Sequence, residues 1–225
     1  MRIPYGVPAA VGRECIALAQ EVAAAILRTL EAGWTHASSF PDVHAAAGEV
    51  EITERLRDGM RQALNDNRFP WSKTMAVLPG TESRSRPEVL RPDGRTDIPI
   101  LLIEIFLQFG EHDPHAIIEC KRIAGSDADL CREYVVEGID RFRTGKYAGN
   151  HIAGFMAGYL LSGDAAAATG GINRYLSGKA RHAEHLEPSG VLKESWVWGS
   201  HHPRTAPSPP IELHHAFFGL QAALS

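Results

Sequence analysis

Two stretches near the start of the chain repeat apolar side chains at helical spacing. Between residues 12 and 32, and again from Ile52 to Leu64, apolar side chains recur three or four positions apart with charged residues between them. Side chains three and four apart share one face of a helix, so each stretch predicts an amphipathic helix. We place the start of the second helix between Asp42 and Gly48. Its outward face is expected to carry Glu54, Arg55, Arg57, Asp58 and Arg61.

Short apolar runs separated by turn-forming residues occupy the middle of the chain. Runs at 74–78, 97–109 and 115–123 predict three strands, and residues 110–114 predict a turn that joins the last two as an antiparallel pair. The polar segment between the first two strands predicts a loop. It holds four arginines that suit phosphate contacts or, mixed with acids, are simply solvated: Arg84, Arg86, Arg91 and Arg95.

The second half of the chain continues the alternation of helices and strands. Ser126 and Asp127 are suited to cap a helix that ends near Gly145. The remaining pattern predicts a strand at 151–162, a helix at 165–176 broken at Gly170 and Gly171, and strands at 195–200 and 211–218. With no internal repeat and no break in composition, residues 1–225 predict a single α/β domain.

The composition is that of a soluble globular protein, with 44% hydrophobic and 22% charged residues. No apolar run approaches the roughly 20 residues that a transmembrane helix needs, so we expect a cytoplasmic protein with no membrane attachment. The cysteines Cys15, Cys120 and Cys131 lack paired spacing, which predicts buried reduced thiols. The net charge of −4 argues against strong binding of nucleic acid by this chain alone.

Two acids and a lysine fall at the ends of neighbouring predicted strands. Asp97 begins one apolar run, and Glu119, Cys120 and Lys121 end the next. Because side chains alternate along a strand, Glu119 and Lys121 share one face while Cys120 points to the other. Carboxylates from adjacent strands suit a magnesium ion, and a nearby ammonium can orient water against a phosphodiester. The alternative is a turn acid beside an ordinary cross-strand ion pair.

This arrangement resembles the core motif of the PD-(D/E)xK nuclease superfamily, the restriction-endonuclease-like fold. Asp97, Glu119 and Lys121 match its three positions, although Thr96 stands where the family name has a proline. The resemblance implies an α/β fold with an αβββαβ core at about 49–161, in which helices flank a central mixed sheet. A helix would be added before this core, and a C-terminal extension would follow at about 178–225. The segment from Tyr134 to Tyr147 resembles uncharacterised bacterial members associated with defence against phage.

The resemblance also implies a metal site. Asp97, Glu119 and the main-chain carbonyl of Cys120 would hold Mg²⁺, for which Mn²⁺ can substitute, and Lys121 would position water. Family members often take a further acid from the first core helix. We choose Glu49, because it shares the inward face with Ile52 and Leu56; Glu51 is the nearest competitor, and an exposed first-turn acid is the alternative for Glu49.

Further side chains leave alternatives open. Arg141 and Lys146 could reach a phosphate, and Tyr134 could order a ligand; equally, Arg141 could form a helix-surface pair with Glu137, and Tyr134 could belong to the core. The paired histidines lack supporting carboxylates or thiolates and predict surface or loop positions instead of a metal site. They are His182 with His185, His201 with His202, and His214 with His215.

These features together predict a metal-dependent endonuclease that hydrolyses phosphodiester bonds of nucleic acid. DNA is favoured over RNA as substrate, and the resemblance suggests the effector of a bacterial anti-phage system. The alternative is a non-catalytic scaffold subunit that keeps a nuclease-like fold. Because 27 acids outnumber 23 basic residues, we expect a second copy or a larger protein partner to supply the basic surface. The region from Gly178 onward, with Trp196 and Trp198, is the expected site for that partner.

Overall fold

A computed structural model describes most of the chain as one mixed sheet flanked by helices. The described residues are 18–80, 82–83, 94–109, 113–205 and 208–221. The helices are α1 (Gln20–Ala37), α2 (Glu49–Asn65), α3 (Ile103–Phe109), α4 (Ala128–Tyr134), α5 (Asp140–Arg143) and α6 (Ala165–Gly178). A π-helical segment, Val135–Ile139, joins α4 to α5, and a 3₁₀ turn occupies His182–Glu184.

Seven of the strands form the main sheet. The strands are β1 (Met75–Val77), β2 (Glu82–Ser83), β3 (Gly94–Arg95), β4 (Ile98–Leu102), β5 (Ala116–Ala124), β6 (Ala153–Ser162), β7 (Glu187–Pro188), β8 (Val197–His202) and β9 (Ile211–Gly219). The order in the main sheet is β1-β4-β5-β6-β9-β8-β7, and β2 pairs separately with β3. The central strands β5, β6 and β9 run parallel, whereas the outer pairs are antiparallel.

Each face of this sheet is covered by its own hydrophobic cluster. Helices α1 and α2 supply Ile26, Leu56 and their neighbours to one face, where they meet Ile118 of β5. The segment from α4 to α6 covers the other face, where Ile117 and Ile123 of β5 lie. Burying an aliphatic side chain contributes roughly 1.5–3 kcal/mol, so both layers hold the central strands in place. Strand β5 is therefore buried on both faces, Glu119 and Lys121 included.

Most predicted elements are present, including both amphipathic helices and the antiparallel pairing of β4 with β5. The predicted start of the first helix, at 12–17, lies outside the described residues. Cys120 and Cys131 are buried free thiols, as predicted, and Cys15 again lies outside the described residues. The expected outward position of Arg57 is wrong, because this side chain is only 7% exposed.

The predicted strand at 97–109 is wrong in its second half. Strand β4 ends at Leu102 and α3 begins at once, although Ile103, Ile105 and Leu107 alternate as they would in a strand. Register explains the change: Leu102 already pairs with Met75, the first residue of β1, and β5 begins opposite Ile100. Beyond the Ile103 amide, which donates to Thr74, no strand within the described residues supplies backbone partners, so the segment satisfies its own N–H and C=O groups as a helix.

Helix α6 is continuous, so the predicted break at Gly170 and Gly171 is wrong. A side chain on Gly171 would lie within 2.4 Å of the Gly125 carbonyl oxygen and 2.7 Å of the Cys131 sulfur. Glycine here permits close packing of α6 against the loop before α4 and costs the helix only about 1 kcal/mol.

The C-terminal region is part of the same sheet. Strands β7, β8 and β9 come from it, and β9 pairs along its length with β6. Trp196, expected to serve a partner, stacks on Phe218 with ring centroids 5.7 Å apart and packs against the first hydrophobic cluster. Strands β8 and β9 therefore build the fold directly, because most of their apolar side chains are buried in the two hydrophobic clusters.

Candidate active site

The four residues selected from the sequence come together at one place on β5. Asp97 directly precedes β4, and pairing of Ile98 with Ile118 sets it beside Glu119. Its Oδ2 accepts a hydrogen bond from the Cys120 amide at 2.7 Å. The Nζ of Lys121 lies 3.1 Å from Glu119 Oε1 and 2.8 Å from Oε1 of Glu49, the first residue of α2. Three acids and one ammonium thus share a single cluster, which we call the acid cluster.

Glu119 is the most deeply placed member of the acid cluster. Its side chain is fully buried, and its Oε1 accepts a hydrogen bond from Arg141 Nη1 at 2.7 Å. Its Oε2 is buried and has no hydrogen-bond partner among the described residues. Burial, together with the negative charge of Asp97, raises the pKa of Glu119 to about 8, against the opposing effect of Lys121 and Arg141. A buried carboxylate oxygen without a partner raises the free energy of the folded protein. Glu119 Oε2 could therefore accept a contact from a further cation.

The other charges of the cluster respond to the same crowding. Burial and the nearby Glu49 raise the pKa of Asp97, although Lys121 and the Cys120 amide oppose this shift. Burial alone would lower the pKa of Lys121, but Glu119 and Glu49 outweigh it and raise that pKa above its ordinary value. Lys121 is therefore an ammonium at neutral pH, and it acts as a donor and a positive charge, not as a base.

The position of Glu49 distinguishes it from Glu51 on the same helix. Glu49 Oε2 accepts a hydrogen bond from the Arg122 amide at 3.1 Å, in addition to the Lys121 contact through its Oε1. Glu51 is exposed and its carboxylate lies over Gly48. Both acids lie in the first turn of α2, but only Glu49 reaches β5, as its phase with Ile52 and Leu56 requires.

The donor set of the cluster fits a hard divalent cation. The oxygens of Asp97, Glu119 and Glu49, with the Cys120 carbonyl, are the ligand type that Mg²⁺ prefers, and the unpaired Glu119 Oε2 is available to it. Among the described residues no three His, Cys, Asp or Glu side chains are grouped closely enough to hold a metal ion. Lys121 is hydrogen-bonded to Glu49 and to the Cys120 carbonyl, so its ammonium now occupies part of the space between the acids.

Arg141 belongs to the cluster, a placement that sequence alone left open. Its Nη1 donates to Glu119 Oε1 and also, at 2.9 Å, to the hydroxyl of Tyr147, which in turn donates to the Arg95 carbonyl at 2.6 Å. Its Nη2 meets Glu137 Oε2 at 3.4 Å, so the helix-surface pair exists as well. In the sequence, the i, i+4 spacing of Glu137 and Arg141 indicates their pairing on the helix, but it gives no information about the contact of Arg141 with Glu119. Tyr134, by contrast, is a core residue.

The prediction that the paired histidines lie in loops or on the surface is wrong for three of them. His202, His214 and His215 are buried, whereas His201 is exposed. The split between His201 and His202 follows the alternation of side chains along β8. His214 and His215 are both buried because β9 lies between β6 and β8 and is covered on both faces.

Two of these histidines belong to a continuous hydrogen-bonded series that we call the buried polar chain. Glu184 Oε2 meets His202 Nδ1 at 2.5 Å, and His202 Nε2 meets the Ser200 hydroxyl at 2.6 Å. The same hydroxyl lies 2.7 Å from His215 Nε2, and His215 Nδ1 lies 3.0 Å from the Tyr134 hydroxyl. Serine, histidine and glutamate have the order of an acyl-transfer triad here. Because these side chains are buried, no substrate can reach them. The buried polar chain therefore has a structural role and links β8 and β9 to α4.

The charges in the buried polar chain are matched. Although burial opposes it, hydrogen bonds from His202 and Arg181 lower the pKa of Glu184 to about 2. Burial lowers the pKa of His202 and of His215, so both imidazoles are neutral at physiological pH. Neutral imidazoles can each donate through one nitrogen and accept through the other, which suits a continuous chain.

No helix within the described residues combines the length and apolar character needed to cross a bilayer. No protein-family model, curated protein or solved structure matches the chain.

Proposed function

We propose that this protein is a metal-dependent nuclease that hydrolyses phosphodiester bonds of nucleic acid. The observation that carries the proposal is the acid cluster: Lys121 contacts Glu49 and Glu119, Asp97 accepts a hydrogen bond from the Cys120 amide, and one buried carboxylate oxygen of Glu119 is unpaired among the described residues. A structural ion pair has no need of an excess buried acid, whereas a divalent cation site does.

The order of elements supports the finer assignment to a restriction-endonuclease-like fold. In the main sheet, α2 is followed by β1, β4 and β5, and then by the α4 to α5 segment and β6, with the small β2–β3 pair and α3 as additions; this is the αβββαβ order implied by the resemblance to PD-(D/E)xK nucleases. The antiparallel β1-β4-β5 meander, followed by parallel β6, brings Asp97 and Glu119 together from adjacent strands. The proposal rests on this topology together with the residues that occupy the motif positions.

In this proposal Asp97, Glu119, Glu49 and the Cys120 carbonyl hold Mg²⁺ or Mn²⁺. When bound, the metal supplies Lewis-acid activation of the phosphodiester and of an attacking water. Lys121, held as an ammonium by its acidic neighbours, donates a hydrogen bond that orients this water and offsets negative charge at the reacting phosphate. Arg141 fixes one oxygen of Glu119 and leaves the other free for the metal.

DNA is the proposed substrate, within a complex that contains a second copy of the chain or a larger protein. The net charge of −4 gives the lone domain little attraction for a polyanion, so the chain alone should hold duplex weakly, in the ~10⁻⁴ to 10⁻⁶ M range of non-specific contacts. A role as the effector of a bacterial anti-phage system follows from the same resemblance and fits a nuclease that is restrained until it meets its partner.

The direct test is cleavage of duplex DNA, single-stranded DNA and RNA with Mg²⁺, Mn²⁺, Ca²⁺ or chelator. We expect Mg²⁺ and Mn²⁺ to support cutting, and Ca²⁺ to bind without turnover. Lys121→Ala should lower the cleavage rate at least about a hundredfold, because it removes the ammonium that orients water. Lys193→Ala, at an exposed lysine, is the matched control and should cut at the wild-type rate. Cutting by Lys121→Ala at the wild-type rate would refute the assignment.

A non-catalytic scaffold is the second candidate, and one observation favours it. Lys121 already has acceptors in Glu49, Glu119 and the Cys120 carbonyl, so most of the cluster is neutralised without any ligand. Isothermal titration with Mn²⁺ separates the two candidates. A scaffold would bind no divalent cation at this cluster, and Glu119→Gln would leave the titration unchanged.

A further inference from the structure

A cavity of about 110 Å³ opens beside the acid cluster. The N-terminal half of α2 forms one wall, including Thr53 and Arg57, and the chain around Arg95 forms another. Glu49 and Asp97 line the end nearest to the proposed metal position. A volume of this size accommodates a small tetrahedral anion together with water. The cavity therefore connects the acids to two guanidinium groups that the proposed reaction has not yet used.

Arg57 is unusual for an arginine in the middle of an exposed amphipathic helix. It is only 7% exposed, and its one hydrogen-bond partner among the described residues is Glu54, at its Nη2. Its Nε is buried and has no partner there. Burial and the neighbouring charges of Arg61 and Arg95 lower the pKa of Arg57 below its ordinary value. The acids that offset these charges, Glu54 and Asp58, are half-exposed and exposed, and the buried Nε of Arg57 lacks an acceptor among the described residues, which costs free energy.

Arg95 brings a second guanidinium to the same cavity. Its side chain is exposed, and its Nε donates to the Gly80 carbonyl at 3.3 Å on the wall of the cavity. Its own carbonyl accepts from Tyr147, the residue that also contacts Arg141 of the acid cluster. Arg95 is thus attached to the cluster through its backbone while its charge lines the cavity.

We propose that Arg57 and Arg95 bind a phosphate group of the nucleic-acid backbone, next to the phosphodiester that the acid cluster cleaves. The assignment rests on the proposed nuclease function for the identity of the ligand. Guanidinium groups present paired donors that match phosphate oxygens, and a phosphate between Arg57 and Arg95 supplies the acceptor that the buried Arg57 Nε lacks among the described residues. Free phosphate or a nucleotide shares the same chemistry, so the experiment compares these sources.

The acids at the end of the cavity nearest to the proposed metal position make phosphate binding depend on a bound cation. Glu49 and Asp97 repel a phosphate until a cation offsets their charge, so binding in the cavity should strengthen when Ca²⁺ is added. This coupling distinguishes the cavity from a general basic surface, where added divalent cation weakens binding by screening.

The test measures binding of a short labelled single-stranded DNA by fluorescence anisotropy, both in chelator and in Ca²⁺, with the full chain. Arg95→Gln and Arg57→Gln should each weaken binding about tenfold, the loss expected for one charge-assisted contact. Each should also lower the slope of log affinity against log salt by about 0.7. Arg68→Gln, an exposed arginine just beyond α2, removes the same charge and should change neither quantity. Arg57→Lys keeps the buried charge and should retain part of the affinity if Arg57→Gln folds poorly.

Inorganic phosphate and a mononucleotide are titrated against the labelled DNA in parallel. Competition by both at high concentration, with far tighter binding of the oligonucleotide, supports a backbone subsite. Saturation by inorganic phosphate with no effect of Arg95→Gln on DNA affinity overturns the proposal, as does an equal loss of affinity in Arg68→Gln. Binding measured in chelator needs no cleavage. A protein that cuts nothing but shows the Arg57 and Arg95 dependence would refute the nuclease and leave this phosphate site standing.

Discussion

The acid cluster on β5 and the buried polar chain on β8 and β9 both lie on the main sheet, yet their polar atoms are satisfied to different degrees. In the buried polar chain, Glu184, Ser200 and both imidazoles have partners at 2.5–3.0 Å. In the acid cluster, Glu119 retains a buried oxygen without a partner, and its pKa is raised to about 8, whereas that of Glu184 is lowered to about 2. Two buried glutamates in one protein are thus shifted in opposite directions.

The difference separates a structural network from a candidate binding site. A fully connected polar network stabilises one arrangement of the elements it joins, and nothing is left over for a ligand. A carboxylate that is buried, crowded by other acids and only partly paired is costly to the free protein, and such groups concentrate at functional sites. Burial of acidic or histidine residues alone therefore does not distinguish the two regions; the hydrogen-bond partners of their glutamates do.

The largest effect should come from breaking the buried polar chain. Glu184→Ala leaves His202 and Arg181 without their shared acceptor, and removing one member of a buried charged network costs about 3–5 kcal/mol of unfolding free energy. Urea denaturation followed by circular dichroism measures the change. Glu187→Ala, three residues further along at an exposed position of β7, is the control and should fall within about 0.5 kcal/mol of wild type. Equal stability of both variants would show that the buried polar chain contributes nothing to the free energy of unfolding.

A second pair of substitutions tests whether Glu49 or Glu51 is the metal-binding acid of α2. Glu49→Gln should weaken Mn²⁺ binding by about tenfold, since Glu49 contacts Lys121 and the Arg122 amide at the proposed metal position. Glu51→Gln, on the same turn but exposed, should leave the affinity unchanged. The reverse order in calorimetric titrations would show that Glu51 and not Glu49 is the helix acid.

The smallest expected effect is on the pH dependence of stability. Glu119 and Glu184 should change the stability in opposite directions with pH, because their pKa values are shifted in opposite directions. Because the pKa of Glu119 is raised to about 8 in the folded protein, the folded state retains its proton, and the associated stability is lost as pH rises from about 4.5 through about 8. Glu119→Gln keeps the shape without the charge, so its melting temperature should exceed that of wild type by about 2–4 °C near pH 9. Near pH 4 the two should coincide.

The control for this pH experiment is Glu133→Gln at an exposed position of α4, which should follow wild type at both pH values. Glu184 provides the contrast in sign, since its pKa is lowered and its stabilisation is lost as pH falls from about 4.5 towards about 2. A wild-type protein that melts higher at alkaline than at acid pH, with no gain from Glu119→Gln, would contradict the comparison.

Sequence periodicity was sufficient where a single element sets the geometry. The alternation along β5 places Glu119 and Lys121 on one face, and the spacing of Glu49 with Ile52 and Leu56 places it towards the sheet. These are local relations, fixed by rises and rotations per residue that hold in any protein. For the same reason the helix capped by Asp127 could be placed, since Asp127 accepts hydrogen bonds from the Asp129 and Leu130 amides.

Prediction failed where partners distant in sequence decide the outcome. Residues 103–109 alternate like a strand but pair with no strand in the described part of the chain, and they form α3 instead. Arg57 follows the polar side of α2 in sequence yet is covered, and His214 and His215 are buried because strands and helices enclose β9. The contact of Arg141 with Glu119 likewise joins residues on different elements. No window along the chain contains the neighbours that determine these positions.

The π-helical turn between α4 and α5 sets the direction in which Arg141 points. A π turn holds one residue more than the α turn it replaces, and each residue of an α-helix rotates the following side chains by about 100°. If Val135–Ile139 formed regular α turns at unchanged length, the extra residue would rotate Arg141 away from Glu119, while the helix itself would remain intact. In this chain the orientation of a guanidinium thus depends on the type of helical turn before it as well as on the identity of its residues.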